Sequence, residues 1–243
     1  LDSEDTIREK AKYMMDHYVS QIFPGGFKAQ IIANSRIAAV RYKRMIEDAL
    51  KAKIEELENN NPLSINIDRL RKVRAAVVIS GDRNDELEIK QYTDTNYHKR
   101  SIKSFKLPFD GEDEEDSTIK GDVGIIIVNN MLTTGFDAPI EQVLYLDRVL
   151  VAHNLLQAIT RPNRVGEEGK DFGFVVDYVG IGHHLKKAID YYDEKQGQVD
   201  TDETDGTLST IVNEEELLKE LKNTHAAIWD FLKKNGLTDL TDE

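Results

Sequence analysis

The sequence predicts an α/β fold in which a parallel β-sheet is covered by helices on both faces. Short apolar runs recur along the chain, at residues 29–33, 75–79, 124–128, 143–146 and 172–176. Strands that are apolar throughout are typical of a parallel sheet that is buried on both sides, because a half-exposed strand would alternate apolar and polar residues. Predicted helices separate these runs, and such an alternation of strands and helices indicates an α/β domain.

Helical periodicity is clear in the first part of the chain. Apolar residues recur at helical spacing over residues 7–22, and Pro24-Gly25-Gly26 ends the pattern. Further predicted helices cover residues 37–57, 97–105, 153–160, 185–192 and 214–232. With right-handed connections between the strands, this order favours a RecA-like or a doubly wound arrangement of three layers.

The predicted elements suggest three parts. Residues 1–24 form an N-terminal helix or connector, and residues 25–195 form the α/β domain. Residues 196–243 form an acidic linker and a C-terminal helix, which we expect to be a helical appendage. Within the domain, the acidic stretch at residues 110–116 is predicted to be a loop, because its like charges repel one another and prevent packing.

The composition excludes several classes of protein. The 243 residues contain no cysteine, and no pair of the six histidines has the spacing of a helical metal site, so we predict no metal site. No apolar run is long enough to cross a membrane, and we expect a cytoplasmic protein without a membrane partner. A net charge of -13 argues against a protein that coats DNA unaided, although the first 106 residues are net basic.

The first segment whose residues could bind a ligand is IIIVNNMLTTGFDAP, at residues 125–139. A polar loop follows a buried strand, and ligands of open parallel sheets bind beyond the carboxyl ends of strands. Gly135 would let the backbone approach a ligand closely, and Asp137 offers acceptors for ribose hydroxyls or for an arginine. A tight turn with a helix-capping aspartate explains the same residues without any ligand.

The second segment is QAITRPNR, which contains Gln157, Arg161 and Arg164. On one short helix these three residues share a face. Two arginines side by side repel each other unless an anion lies between them, and a triphosphate suits their planar, bidentate donors. The alternative is a pair of surface arginines that are paired with Glu167 and Glu168.

The third segment is KAQIIANSRIAAV, in which a strand leads into Ser35 and Arg36 at the start of a helix. Free N–H groups and a hydroxyl at such a position can bind a phosphate. An ordinary N-terminal helix cap explains the same pattern.

Together, the three segments resemble motifs IV, V and VI of superfamily 2 helicases, in that order. Within this superfamily, MLTTGFDAP, QAITRPNRV and GKDFGFVVDYVGI resemble the R subunits of type I restriction enzymes. Thr160 and Asn163 stand where most superfamily 2 helicases have glycines, and the R subunits share this departure. The resemblance covers roughly residues 25–193 and implies the second RecA-like motor domain of a translocase.

The resemblance also implies roles for individual residues. Arg164 and Arg161 would be catalytic residues that contact the γ-phosphate. Gly135, Asp137 and Gln157 would bind the nucleotide. The residues near the DNA backbone would be Ser35, Arg36, Asn129 and Asn130. It implies ATP and Mg²⁺ as cofactors of the full-length subunit, bound mainly by a first motor domain. The implied partners are double-stranded DNA, the first motor domain and a nuclease domain of the same chain, and the modification and specificity subunits of the complex.

The chain lacks the phosphate-binding loop G-x-x-x-x-G-K-[ST]. It has no recognisable endonuclease motif either, so we expect it to supply half of an ATPase and, in isolation, to be inactive. Two alternatives remain open at this point: a motor domain of another superfamily 2 DNA helicase, and a non-catalytic α/β binding module.

Overall fold

The computed structural model describes residues 3–60, 65–132, 136–150, 152–162, 170, 172–180, 219 and 221–223. The chain falls into two compact units, Leu1–Gln196 and Gly197–Glu243. The helices predicted at residues 185–192 and 214–232 lie almost entirely outside the described residues, and the predicted domain boundaries stay predictions. None of the helices in the described ranges is long and apolar enough to span a membrane.

Helix α1 spans Glu4–His17 and begins where the Ser3 hydroxyl accepts the Thr6 N–H. The chain continues as a π-helical turn, Tyr18–Ile22, and a 3-10 turn, Phe23–Gly25. Gly26 then adopts a φ of 81°, which ends the helical course because glycine tolerates that conformation. The helix predicted from periodicity therefore starts earlier than expected.

All strands of the sheet are parallel, in the order β2-β3-β1-β4-β5. Each lies on one of the predicted apolar runs, so the predicted strand positions are confirmed within one or two residues. The strands are β1 Lys28–Ile32, β2 Arg74–Val78, β3 Val123–Val128, β4 Glu141–Leu146 and β5 Phe174–Asp177.

Three of the remaining helices match predicted ones: α2 Arg36–Asn60, α5 Thr95–Lys106 and α6 Ala152–Ile159. Two further helices, α3 Ile67–Leu70 and α4 Leu87–Lys90, are one turn long. A single turn shows no periodicity in a sequence, which explains why the pattern did not predict them.

Helices pack on both faces of the sheet, which confirms the predicted α/β class. Helices α1 and α2 bury their apolar residues in one cluster with alternate strand positions, such as Ile31 and Ile127. Intervening positions such as Ile126 face the other side. There α5 packs against β2 and β3, and Phe105 is buried outside the first cluster.

Between β3 and β4 the structure describes residues 129–132 and 136–140, and we call these residues the crossover segment. Val128 ends β3 beside Ile32, at the carboxyl ends of the strands, whereas Glu141 begins β4 beside Lys28, at the amino ends. Because both strands are parallel to β1, the chain between them must return across the sheet.

The acidic loop at residues 110–116 corrects a prediction. Its carboxylates are paired with cations: Asp110 with Arg69 and Lys72, and Asp113 with Lys103. These pairs hold the pKa of Asp110 below its usual value. Residues 110–116 form a loop, as predicted, but the expectation that repulsion prevents packing was wrong, because Arg69, Lys72 and Lys103 lie close to these carboxylates in space although not all of them are close in sequence.

Candidate functional site

The predicted DNA-contacting residues meet at the carboxyl ends of the central strands, and we call them the edge group. Asn129, which follows β3, is buried, and its Nδ2 donates to the Ala33 carbonyl at 2.8 Å. Asn130 is exposed beside it. Arg148, which follows β4, donates from Nη1 to the Asn129 carbonyl at 3.1 Å and also to Asn130 Oδ1.

Ser35 and Arg36 lie at the start of α2, on the same edge. The Ser35 hydroxyl accepts the Ala38 N–H at 3.1 Å, so it caps the helix. The Arg36 guanidinium donates to the Ser80 carbonyl at 3.1 Å and to the Asp85 carboxylate at 2.6 Å. Burial raises the pKa of Asp85, but hydrogen bonds from the Asp82 N–H and from Arg36 outweigh it, and the net pKa is below the usual value.

Arg148 is a member of the edge group that the sequence analysis missed. It is half-buried, directly after the Asp147 that follows β4. The same signal that pointed to Asn129, a polar residue after a buried strand, could have found it. The edge group therefore places two guanidiniums, Arg36 and Arg148, and the exposed Asn130 amide along one edge of the sheet, whereas the Asn129 amide is buried there.

The predicted nucleotide-binding residues lie further along the crossover segment and on α6. Asp137 is exposed and comes just before a turn in which the Glu141 N–H donates to the Ala138 carbonyl at 2.9 Å. Since Glu141 lies at the amino edge of the sheet, Asp137 lies toward that edge too. The argument that placed it at the carboxyl ends was therefore wrong for Asp137, although it holds for Asn129.

Arg161 lies beyond α6 and not on it. The helix ends at Ile159, and residues 161 and 162 form a turn, because Pro162 cannot continue a helix. The Arg161 side chain folds back, so Nε donates to the Gln157 carbonyl at 3.2 Å and Nη1 donates to the Leu132 carbonyl at 2.6 Å. The premise that Gln157 and Arg161 share a face of one helix was wrong.

Arg161 is 7% exposed, and its guanidinium lies 5.9 Å from the centre of the Phe136 ring. Gln157 is half-buried on α6. The structure thus brings Gln157, Arg161 and the crossover segment together, and Arg161 is the direct link between them. Arg164 and Gly135, two further predicted site residues, lie outside the described residues.

A buried polar cluster lies at the amino end of β4. The Glu141 carboxylate is buried, and burial raises its pKa to about 8, although the nearby charges of Arg161 and Lys170 oppose the shift. With its amide nitrogen turned toward this carboxylate, Gln30 donates to both oxygens, at 3.1 and 3.2 Å. The Lys170 ammonium donates to the carbonyls of Pro139 and Glu141, at 2.7 and 2.6 Å.

Within the described ranges, no group of three or more His, Cys, Asp or Glu side chains could hold a metal ion. The arrangement offers cations and amides for phosphate groups on the carboxyl edge. It offers the exposed Asp137 carboxylate toward the opposite edge.

Residues 25–180 match the family described as type I restriction enzyme subunit R domain 3. The MjaVIIIP type I restriction enzyme endonuclease subunit of Methanocaldococcus jannaschii is 34% identical over 196 residues, which are 79% of this chain and 17% of that protein. The HindI endonuclease subunit of Haemophilus influenzae is 29% identical over 202 residues, 82% of this chain and 17% of that protein.

Among solved structures, an HsdR subunit fragment of a type I restriction enzyme from Vibrio vulnificus YJ016 is similar, with a TM-score of 0.46 and 18% identity. The alignment covers 75% of this chain and 29% of that one. The matched length, about two thirds of the chain, spans all the strands and the candidate site residues. The chain therefore belongs to the family of type I restriction enzyme R subunits, in the part described as domain 3.

Proposed function

We propose that this chain is the second RecA-like motor domain of a type I restriction R subunit. The subunit would hydrolyse ATP to move double-stranded DNA, and this movement would be coupled to DNA cleavage. The observation that supports the proposal most directly is that the crossover segment contacts both the edge group and Arg161. Its first residues, Asn129 and Asn130, belong to the edge group, and its later residues lie against Arg161. One stretch of backbone thus joins a surface suited to DNA with the residues assigned to the nucleotide.

The described residues fit the nucleotide in part. The exposed Asp137 carboxylate can accept hydrogen bonds from ribose hydroxyls, and Gln157 is half-exposed on α6. Arg161 uses its Nε and one Nη on backbone carbonyls, so it would position the site, and Arg164 would be the residue on the γ-phosphate. We assign Mg²⁺ and most of the ATP contacts to a first motor domain, as the resemblance implies.

When bound, ATP would supply the γ-phosphoryl group for hydrolysis. This domain's residues would orient the ribose and stabilise negative charge on the phosphates. The relatives' names describe endonuclease subunits of proteins far longer than the matched region. We therefore assign cleavage to a separate nuclease domain of the same chain, and sequence recognition to the specificity subunit, which acts with the modification subunit.

The edge group suits a DNA backbone. Arg36 and Arg148 point their guanidiniums at neighbouring strand ends, where the exposed Asn130 adds an amide group and the buried Asn129 supports it from the strand end. Arginine donors bind phosphates by charge-assisted hydrogen bonds that carry no sequence information. Duplex DNA bound here would be held without sequence preference, as a motor that moves along DNA requires.

The double substitution Arg36→Gln with Arg148→Gln tests this assignment in the complete R subunit. We expect duplex binding to weaken by roughly tenfold or more, because two charge-assisted contacts are lost. The slope of log affinity against log salt should become shallower by about 2, since two fewer counterions are released. The measurement is a titration of labelled duplexes of unrelated sequence at several salt concentrations.

Arg71→Gln is the matched control, because Arg71 is an exposed arginine that is paired with Glu58 and Asp68, away from the edge group. It should leave both affinity and salt slope unchanged. The DNA assignment is wrong if the double variant keeps its melting temperature and binds duplexes with an unchanged salt slope.

A further inference from the structure

The guanidinium of Arg36 is held through only one of its nitrogen atoms. Nη1 donates to the Ser80 carbonyl at 3.1 Å and to the Asp85 carboxylate at 2.6 Å. The Arg36 side chain is 29% exposed, so it lies partly in solvent at the carboxyl edge of the sheet. Among the residues that the structure describes, none accepts a hydrogen bond from Nε or Nη2 of this arginine. These two nitrogens, which form one edge of the guanidinium, are available to a ligand.

The Nε–Nη2 edge of a guanidinium can bind two oxygens of a single anion side by side. Arg74 uses this edge on Asp122, where Nε donates to one carboxylate oxygen at 2.8 Å and Nη2 donates to the other at 2.7 Å. A phosphate of the DNA backbone offers a similar pair of oxygens, and such bidentate contacts are short and charge-assisted. The open edge of Arg36 is therefore suited to one backbone phosphate.

Asp85, the partner of Arg36, is fixed by its own loop, which follows β2. The Asp85 carboxylate accepts the Asp82 N–H at 2.6 Å, and the Asp85 N–H donates to the Asp82 carbonyl at 3.3 Å. The carboxylate therefore has little freedom to follow the arginine, and the hydrogen bond from Arg36 forms where the loop holds it. A charge-assisted hydrogen bond to a fixed partner restrains an arginine side chain that otherwise samples many rotamers.

The same ion pair could instead weaken DNA binding, because Asp85 places a negative charge close to the phosphates. Two observations favour support over competition. Asp85 contacts Nη1 and leaves the Nε–Nη2 edge of Arg36 open. Its side chain is only 3% exposed and accepts hydrogen bonds from both Arg36 and Asp82, so its charge is already balanced before any phosphate arrives.

We infer that Asp85 is a positioning residue for DNA binding, which fixes Nη1 of Arg36 and so keeps the Nε–Nη2 edge for one phosphate of the duplex backbone. The inference rests on the proposed function, in which the edge group contacts DNA, and it adds a residue that acts through Arg36. Without this ion pair, the guanidinium turns freely and binds the phosphate less tightly, although the surface has become more positive.

Asp85→Asn in the complete R subunit tests the inference, because support and competition predict opposite signs. The substitution removes a negative charge, so electrostatics alone would tighten duplex binding. Loss of positioning should instead weaken binding by roughly threefold to tenfold and make the slope of log affinity against log salt shallower by about 1. Asparagine retains an oxygen for the Asp82 N–H, so the melting temperature should change little. The measurement is a titration of labelled duplexes at several salt concentrations.

Glu86→Gln is the matched control for this substitution. It removes the same charge from the neighbouring residue, which is exposed and whose side chain does not cap α4. Duplex binding by this variant should be unchanged or slightly tighter than that of the wild type.

Two substitutions of Arg36 show whether Asp85 acts through it. In an Arg36→Gln background, Asp85→Asn should cause no further loss of affinity, because no guanidinium is left to position. Arg36→Lys should lose about as much affinity as Arg36→Gln although it retains the charge, since one ammonium cannot bind Asp85 and two phosphate oxygens at the same time. Arg36→Lys leaves Asp85 and its loop intact, so it decides the matter if Asp85→Asn does not fold.

The inference is overturned if Asp85→Asn binds duplexes as tightly as the wild type or more tightly, since Asp85 would then compete with the phosphate. It is equally overturned if Asp85→Asn weakens binding as much in the Arg36→Gln background, or if Arg36→Lys binds as the wild type does. Failure of the proposed function gives a different result: Arg36→Gln with Arg148→Gln would bind duplexes as tightly as the wild type, and the inference would fall with it.

Discussion

Arg164→Ala in the complete R subunit is expected to reduce DNA-stimulated ATP hydrolysis by roughly 10³–10⁵-fold, with the fold intact. The transition state of phosphoryl transfer spreads negative charge over the equatorial oxygens, and a fixed guanidinium stabilises that charge. Arg164→Lys should recover little of the rate, because an ammonium cannot bridge two oxygens in a plane. The measurements are steady-state phosphate release with duplex DNA and the melting temperature of the same preparation.

Arg100→Ala is the control for this substitution. Arg100 is a half-exposed arginine that pairs with Asp116 and lies far along the chain from the motif segments. Its loss should change stability by only about 0.5 kcal/mol and leave the rate unchanged. Near-normal turnover in Arg164→Ala would mean that Arg164 is a surface arginine, and the assignment of motif VI would fail.

Glu141→Gln is expected to remove a pH dependence of stability that the wild-type chain shows between about pH 4.5 and 8. Burial raises the pKa of Glu141 from its usual 4.5 to about 8, so in this range the folded protein holds a proton that the unfolded chain has released. Stability from this group is therefore complete below pH 4.5 and is lost as the pH rises through 8. A shift of this size corresponds to roughly 3–5 kcal/mol.

The measurement is the free energy of unfolding of both proteins in urea at several pH values. The difference between Glu141→Gln and wild type should be small near pH 5 and should favour the variant increasingly toward pH 8.5. Lys28, whose pKa is lowered by burial to about 7, contributes an opposite slope above pH 7. That contribution is common to both proteins and cancels in the difference. A constant difference across this range would show that Glu141 titrates as an exposed carboxylate does.

The strands could be predicted because the cause lies in the sequence itself. A parallel strand that is buried on both faces must be apolar throughout, and the run at residues 124–128 became β3 for that reason. The partners of the carboxylates in the acidic loop could not be predicted from the sequence in the same way. Whether Asp110 meets another carboxylate or the cations of Arg69 and Lys72 depends on the tertiary fold.

The membership of the candidate site stays a prediction, but some of its contacts can be compared with the sequence argument. Motif spacing brought Gln157, Arg161 and the crossover segment into one site, and the structure places them in contact. The shared helix face was wrong because Pro162 ends α6 before Arg161. Lys170 gave no signal, because a lysine between polar residues has the sequence pattern of an exposed one. Only the fold shows that it is buried against two carbonyls.

ATP hydrolysis by the complete R subunit, assembled with its modification and specificity subunits and measured with and without long duplex DNA, tests the motor assignment most directly. We expect phosphate release to rise severalfold or more when DNA is added and to require Arg164. Hydrolysis that is absent, or that is unaffected by DNA, would contradict the assignment of this chain to a DNA-translocating motor.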